Sequence, residues 1–242
     1  MEVDAVVLQA SDWEVIVANW RFLALGTFVT ILLTATSLSL GFLAGFPAGA
    51  VEVYGSGWLR EAVSTAGVVL RGTPIVVLIV LFFFGLPIPR LGTIQIFELD
   101  IGLKAFIAAT LALGLRSAAY QGQVFRGAIQ SISEGQMEAA RSVGMTRRKA
   151  IQHVIFPQAI RRSIPGFQNE FTIVLKDTSV AFAIGLAELL TRAERIYLQP
   201  GNDTAVMEVL LVISLIYFVL TFTTNRTLDR LHDRYAIPGG ND

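Results

Sequence analysis

The sequence predicts an all-α integral membrane protein with five transmembrane helices and a polar segment between the third and the fourth. Of the 242 residues, 53% are hydrophobic and 16% are charged. Soluble globular domains carry roughly 25% charged residues, so this composition argues against a water-soluble protein. Long runs without a charged side chain recur along the chain, and ionisable residues bound each of them.

Three of these runs predict membrane-spanning helices directly. A hydrocarbon core about 30 Å thick requires about 20 apolar residues in helical conformation. Residues 22–50, 72–89 and 209–224 contain no charged side chain. We therefore predict spans at about 22–50, 66–88 and 205–225.

Two further apolar stretches, 103–125 and 167–188, are interrupted by charged residues. These residues are Lys104 and Arg116 in the first stretch, and Glu170, Lys176, Asp177 and Glu188 in the second. Buried amphipathic helices are the alternative interpretation, but a chain with so few charged residues offers no soluble domain in which to bury them. With these stretches, the sequence predicts five spans within a single domain, residues 1–242.

Small residues recur on one helical face of the first span, at Gly41, Gly45 and Gly49. Residues of this size at this spacing allow two helix backbones to approach closely in a membrane. We favour packing within one chain over a seam between two chains.

The distribution of Lys and Arg predicts the orientation in the membrane. Twelve of these residues lie in segments 51–71, 126–163 and 226–242, whereas five lie in segments 1–21, 86–104 and 188–204. Because cytoplasmic loops carry the excess of Lys and Arg, we expect the N-terminus outside the cell and the C-terminus in the cytoplasm.

Several classes of function are excluded by composition. With 19 Lys and Arg against 19 Asp and Glu, the formal net charge is zero, so the basic field of a nucleic-acid-binding protein is missing. The chain has no cysteine and only two histidines, His153 and His232, which excludes disulfides, thiolate metal sites and a histidine cluster. We expect no metal site and no cofactor on this chain.

The longest polar segment, residues 126–163, is predicted to form short helices. Ser133 followed by Gln136 fits a capping box at the start of the first helix. Gly144 stands where a helix commonly ends in the left-handed conformation. A helix of about ten residues is about 15 Å long, which is too short to cross a membrane. We therefore expect it to reach out of the membrane and contact another molecule.

A second short helix is predicted to follow at once. Thr146 can cap a helix over Arg147–Ile155. Pro157 then lies beyond its end, since proline cannot continue a helix without losing a hydrogen bond.

A spaced motif runs through this segment. Glu138, Ala139 and Ala140 are followed by Gly144 and then by Val154, Phe156 and Pro157. This pattern resembles the EAA motif of importer-type ABC transporter permeases, with Phe156 in a place where leucine is usual.

Further motifs are similar to the permeases that import polar amino acids such as histidine, glutamine, glutamate and arginine. They are Arg71–Pro74, Ser117–Tyr120 with Phe125–Gly127, and Leu175–Ser179. Relatives often have a glutamate shortly before the Phe-Arg-Gly sequence, where this chain has Gln123. The resemblance covers about residues 20–225.

The resemblance implies the type I ABC importer permease fold, in which the EAA segment forms a coupling helix that sits in a groove of a partner ATPase. For this chain, the implied coupling residues are Glu138, Ala139, Ala140, Gly144 and Pro157. Members of the family are dimers of identical or similar transmembrane subunits. They carry two ATPase subunits, which bind ATP and Mg²⁺, and receive cargo from an external solute-binding protein.

The chain has no Gly-rich loop ending in Lys-Ser or Lys-Thr, which is the phosphate cradle that ATP hydrolysis would need. We therefore expect a transport subunit rather than an enzyme, with ATP hydrolysed by the partner.

Charged residues within the predicted spans indicate a cargo pathway, because charges inside a bilayer are costly. Arg116 and Asp177 each lie about 15 Å along a helix from a span boundary, and Lys176 adjoins Asp177. A guanidinium binds a carboxylate bidentately, and a carboxylate suits an ammonium. We hypothesise that Arg116 holds the α-carboxylate of an amino acid, with Asp177 or Glu170 near its ammonium. The alternative is that Arg116, Lys176 and Asp177 only pair internally and lock the helices.

Two other functions remain open from the sequence. An ion-coupled secondary carrier would usually contain inverted repeats, which five spans cannot easily supply. A membrane enzyme acting on lipid could use Glu134, Glu138 and His153 as acids and bases, but no nucleophile or metal set converges on them. The sequence also leaves open which amino acid is carried and whether the second permease chain is identical.

Overall fold

The structure is a computed structural model that describes residues 12–89, 92–96 and 99–235, and these residues are mostly helical. In chain order, its elements are a helix over residues 12–18 (α1), α2 (Trp20–Tyr54), α3 (Gly57–Gly72), α4 (Ile75–Gly85), β1 (Thr93–Ile96), β2 (Leu99–Gly102), α5 (Leu103–Gln130), α6 (Glu134–Ser142), α7 (Arg147–Ala150), a π-helical turn (Ile151–Ile155), α8 (Phe156–Asp177), a 3₁₀ helix (Thr178–Ile184), α9 (Leu189–Tyr197) and α10 (Val206–Tyr235). The two strands form an antiparallel hairpin.

Three described helices are long and apolar enough to cross a membrane. They are Trp20–Tyr54, Leu103–Gln130 and Val206–Arg230. They cover, to within one residue, the predicted spans at 22–50, 103–125 and 205–225, which are therefore candidate spans by length and composition.

The predicted span at 66–88 is broken in the middle. Helices α3 and α4 are long and apolar enough to cross a membrane only when they are taken together, and they meet at an angle of 109°. Thr73, between them, has an extended backbone (φ −91°, ψ 130°). Pro74 explains the break, because proline excludes the helical conformation at the preceding residue and lacks a backbone donor.

The predicted span at 167–188 does not form one apolar helix. Helix α8 ends at Asp177, a 3₁₀ helix follows, and Gly185 then turns the chain with φ 75°. The sequence of α8 contains Arg161, Arg162, Glu170, Lys176 and Asp177, which makes it too polar to count as a span by composition. Within the residues it describes, the structure thus has three candidate spans, or four if the bent pair counts as one span, and the prediction of five is not confirmed.

The described residues divide into two compact units. Unit 1 comprises those within Met1–Thr36, Pro74–Leu113 and Val174–Phe222, and unit 2 those within Ser37–Thr73, Gly114–Ile173 and Thr223–Asp242. In unit 1, a core of Leu23, Leu189, Ala193, Ile196, Ala205, Val209 and Ile213 joins α2, α9 and α10. In unit 2, Phe125, Ala128, Ile129, Ile132, Ile155 and Ala159 join the end of α5 to α8.

The glycine face of α2 packs against α5 within unit 2. A Cβ atom at Gly45 would lie 2.5 Å from the carbonyl oxygen of Ala118, and one at Gly49 would lie 2.6 Å from that of Gly122. At Gly41 the nearest atom would be the side-chain nitrogen of Gln121, at 2.5 Å. The predicted packing of this face within one chain is therefore confirmed.

Candidate functional site

The candidate coupling segment, residues 126–163, is built around the nine-residue helix α6. Ser133 caps its start, since the Ser133 hydroxyl accepts a hydrogen bond from the backbone N–H of Gly135 at 3.3 Å. The side chain of Gln136 accepts instead from Gln158 of α8 at 3.3 Å. Ser133 is thus the N-cap, as predicted, but its partner is Gly135 rather than the backbone N–H of Gln136. The Gln136 side chain ties α6 to α8, so the capping box itself is not the arrangement found.

Helix α6 ends as predicted, with Gly144 in the left-handed conformation just after it. Gly144 has φ 86°, in the left-handed region that favours glycine. The N–H of Met145 donates to the carbonyl of Ala140 at 3.1 Å, and the N–H of Gly144 donates to that of Arg141 at 3.0 Å. These are the two hydrogen bonds of a Schellman motif, and they direct the chain sharply away from the helix.

The residues of the motif divide between the surface and the core. Glu138 and Ala139 are exposed, whereas Ala140 is buried. Val143, directly after the helix, is 73% exposed, which is unusual for an aliphatic side chain in a well-packed segment. The sequence did not single out Val143. Together, Glu138, Ala139 and Val143 form an exposed surface at α6, which we call the α6 face.

Contacts with α5 and α8 hold α6 in place. The Arg162 guanidinium donates to the carbonyl oxygen of Ser131 at 2.6 Å and to its hydroxyl at 3.0 Å. Below these bonds, buried Ile132 packs with Ile155 and Ala159. The α6 face therefore rests on a packed base rather than on a loose loop.

The prediction for the second short helix is correct at its start and wrong at its end. Thr146 caps it, accepting from the N–H of Lys149 at 3.4 Å. Beyond Ala150, however, the helix continues through the π-helical turn into α8. Pro157 is the second residue of α8 and does not follow a helix end. A π turn changes the hydrogen-bond register, which allows a proline without a backbone donor to be accommodated.

A buried carboxylate of α2, that of Glu52, contacts α5 near the C-terminal end of that helix. Glu52 is 5% exposed and accepts hydrogen bonds from the side chains of Gln123 at 2.7 Å and Arg126 at 3.1 Å. An acid at position 123 would here face a second carboxylate. The sequence drew attention to Gln123, but only the folded chain reveals its partner 71 positions away.

A cavity of about 700 Å³ lies between the end of α2 and the part of the coupling segment that follows α6. It is lined by Tyr54, Arg147, Arg148, Ile151, Gln152 and Phe156. The guanidinium carbon of Arg147 lies 5.9 Å from the ring centroid of Tyr54, within the range of a cation–π interaction. The last residue of α2 therefore contacts the first residue of α7.

The candidate cargo residues fall in both units. In unit 2, Arg116 lies on α5 with its guanidinium carbon 5.3 Å from the ring centroid of Tyr120, and Glu170 is buried in α8. Lys176 and Asp177 belong to unit 1. Lys176 lines a cavity of about 420 Å³ with the hydroxyl groups of Ser179, Ser214, Tyr217 and Thr221. The hydroxyls of α10 were not expected from the sequence, because they lie within an uncharged run.

The family model for binding-protein-dependent transport system inner membrane components matches residues 37–236. The chain therefore belongs to this family of transporter permeases, and the resemblance to ABC importer permeases is confirmed.

Relatives and solved structures agree with this assignment. The chain is 33% identical over 227 residues to the glutamine transport system permease protein of Escherichia coli strain K12, covering 93% of this chain and 98% of the relative. It is 32% identical over 215 residues to the octopine transport system permease protein of Rhizobium meliloti, covering 88% and 89%.

A crystal structure of an amino acid ABC transporter with histidines matches with a TM-score of 0.77 and 31% identity, over 90% of this chain and 96% of that one. Inward-facing structures of a methionine ABC transporter share the fold, at 21% identity and TM-scores of 0.68 and 0.69.

Proposed function

We propose that the chain is the membrane-embedded permease subunit of an ATP-driven importer of polar amino acids. It works as a dimer with an identical or similar permease, in the cytoplasmic membrane. Two partner ATPase subunits bind ATP and Mg²⁺, and an external solute-binding protein delivers the cargo. The exposed α6 face on a packed base is the observation that carries the proposal.

The α6 face suits a coupling helix on chemical grounds. Glu138 offers a carboxylate to a basic group of the ATPase, and Ala139 presents a methyl group that permits close approach. Val143 adds exposed apolar surface, which favours burial against a partner. Because Ala140 and Ile132 anchor the other side of the segment, a displacement of α6 by the ATPase would be transmitted to α5 and α8.

The orientation that follows places α6 in the cytoplasm and the start of α2 outside. This agrees with the bias of Lys and Arg towards segments 51–71 and 126–163. The terminal residues on which the predicted orientation also depends, 1–11 and 236–242, lie outside the described residues.

For the cargo pathway, Arg116 supplies a guanidinium for the α-carboxylate, with Asp177 or Glu170 as the carboxylate for the ammonium. Lys176 and the hydroxyls around it offer further polar contacts in unit 1. Without Glu170, the charges of Arg116, Lys176 and Asp177 sum to one positive charge, which favours a neutral or acidic amino acid over a cationic one.

Reconstitution tests the proposal. The permease is placed in proteoliposomes with its ATPase and binding protein, and uptake of glutamine, glutamate, histidine and arginine is measured with and without ATP. We expect uptake of at least one amino acid that requires both the ATPase and ATP. Uptake by the permease alone would identify a secondary carrier, and lipid turnover without uptake would identify an enzyme.

A further inference from the structure

A cavity in unit 1 carries positive charge that the proposed cargo pathway does not use. Its volume is about 410 Å³, and its polar lining consists of Arg21, Arg192, Arg195, Asp100 and Asn19. Small-molecule sites commonly have volumes of roughly 300–1,000 Å³. Three positive charges therefore face one negative charge in a space large enough for an amino acid.

Arg192 is built into the wall of this cavity. Its side chain is 5% exposed, and its Nε donates to the carbonyl oxygen of Ala187 at 3.1 Å. The guanidinium carbon lies 4.4 Å from the ring centroid of Phe22. A Cβ atom at Gly26 would lie 2.8 Å from the Cδ of Arg192, so a glycine at this position leaves room for the side chain to pass.

Two acids lie close in sequence to Arg192, Glu188 and Glu194, and neither is among the residues that line the cavity. The carboxylate of Glu188 accepts hydrogen bonds from the backbone N–H groups of Leu190 at 2.7 Å and Thr191 at 2.8 Å. Within the described ranges, no ion pair is recorded for Arg21, Arg192 or Arg195. Burial, and then the charge of Arg195, lower the pKa of Arg192. An anion in the cavity would relieve both effects.

The residues that line the cavity lie in or beside segments 1–21, 86–104 and 188–204, which hold fewer Lys and Arg residues than the segments predicted to be cytoplasmic. Because cytoplasmic loops carry the excess of Lys and Arg, the predicted orientation opens the cavity on the external side, where cargo arrives under the proposed function.

We propose that this cavity is an external receiving site for neutral or acidic α-amino acids. Arg192 and Arg195 bind the α-carboxylate, and Asp100 binds the ammonium, by charge-assisted hydrogen bonds. Arg21 adds the positive field that repels cationic side chains. This inference rests on the proposed import function, and it adds a site separate from Arg116.

Chemical protection tests occupancy directly. The permease–ATPase complex in lipid nanodiscs is treated with 2,3-butanedione, which modifies accessible guanidinium groups, and the modified peptides are quantified by mass spectrometry. The probes are L-glutamine, L-glutamate, L-glutaminamide, which lacks the α-carboxylate, and L-arginine. Arg60, exposed on α3, is the control arginine.

When the free amino-acid concentration is ten times the dissociation constant, only about a tenth of the sites remain empty. The rate at which the site is modified therefore falls about tenfold. We expect this protection at Arg195 from L-glutamine or L-glutamate, little from L-glutaminamide or L-arginine, and none at Arg60. Equal protection by L-arginine would contradict the proposal. So would unprotected Arg195 in a complex that transports glutamine or glutamate.

Substitutions provide an independent test. The equilibrium binding of the amino acid to variants of the same permease–ATPase complex is measured in the absence of the solute-binding protein. Because a hydrogen bond to a charged group contributes about 1.5–3 kcal/mol, R195Q should weaken amino-acid binding at the cavity about tenfold or more, as followed by protection of Arg21. R60Q should leave it unchanged. If R195Q leaves amino-acid binding unchanged and, in a separate assay, weakens only the association of the solute-binding protein, the cavity receives an acidic side chain of that protein and the proposal is wrong.

The two proposals fail in different ways. If no amino acid is taken up with ATP by the complete transporter, the proposed function is wrong. If uptake proceeds but neither protection nor affinity depends on Arg195, only the receiving site is wrong.

Discussion

Single atoms decide how closely the helices of unit 2 pack, and Gly45 is the clearest case. A Cβ atom there would lie 2.5 Å from the carbonyl oxygen of Ala118, a backbone atom that cannot move aside. Overpacking of this kind costs about 1–3 kcal/mol. We therefore expect G45A to lower the thermal unfolding temperature of the detergent-purified permease.

Gly127 on α5 provides the matched control, because nothing lies within 4 Å of a Cβ atom at that position. G127A should be neutral or slightly stabilising, since alanine favours helix over glycine by up to about 1 kcal/mol. Equal unfolding temperatures for G45A and G127A would show that the glycine face does not pack as described.

Glu52 is a second residue with a measurable role in stability. Its buried carboxylate accepts from Gln123 and Arg126, and E52Q replaces one acceptor oxygen by a donor that faces other donors. Arg126 is 36% exposed, so solvent screens part of the loss, and we expect roughly 1–3 kcal/mol of destabilisation. Chemical denaturation of E52Q and of E61Q, which changes an exposed acid on α3, measures the difference. An E52Q variant no less stable than E61Q would contradict this role.

At the scale of one element, α6 combines an exposed face with a buried anchor. Ala139 and Ala140 are neighbours in sequence, but only the first is exposed. The chain has no native cysteine, so a single introduced cysteine can be cross-linked without interference. We expect A139C to cross-link to the ATPase through a short bifunctional reagent, because the proposed function requires the α6 face to bind in a groove of the ATPase.

The adjacent variant A140C serves as the control and should give little cross-linked product. Cross-linking of A140C but not A139C would mean that the opposite side of α6 meets the partner. Absence of any product from A139C in a transport-competent complex would contradict docking at this face.

For the whole molecule, local signals in the sequence were sufficient for part of the fold. Two of the three charge-free runs, 22–50 and 209–224, lie in single helices long enough to span a membrane, because hydrophobicity over about 20 residues is a local property. Ser133, Gly144 and Thr146 marked helix ends correctly, since capping depends on neighbouring residues. Pro74 explains the break between α3 and α4 once the structure is known, but the angle of 109° between them is not encoded locally.

The features that were missed depend on contacts between residues distant in sequence. The partner of Gln123 is 71 positions away, and the cavity around Arg192 draws on residues from α2, β2 and α9. The end of α8 at Asp177 was missed because the charged residues of this stretch were interpreted as pathway residues within a span. Pro157 was misplaced because a π-helical turn has no simple sequence signal.

The central claim is that α6 transmits ATP hydrolysis into movement of the permease. The most direct measurement is the number of ATP molecules hydrolysed per amino acid taken up by proteoliposomes containing permease, ATPase and binding protein. E138A removes the exposed carboxylate, G144A strains the left-handed turn by about 1–2 kcal/mol, and E134A changes another exposed acid of α6 as a control. We predict that complexes with E138A or G144A hydrolyse several times more ATP per amino acid taken up, while complexes with E134A match the wild type. An unchanged ratio in both E138A and G144A would contradict the claim, and so would uptake without the ATPase.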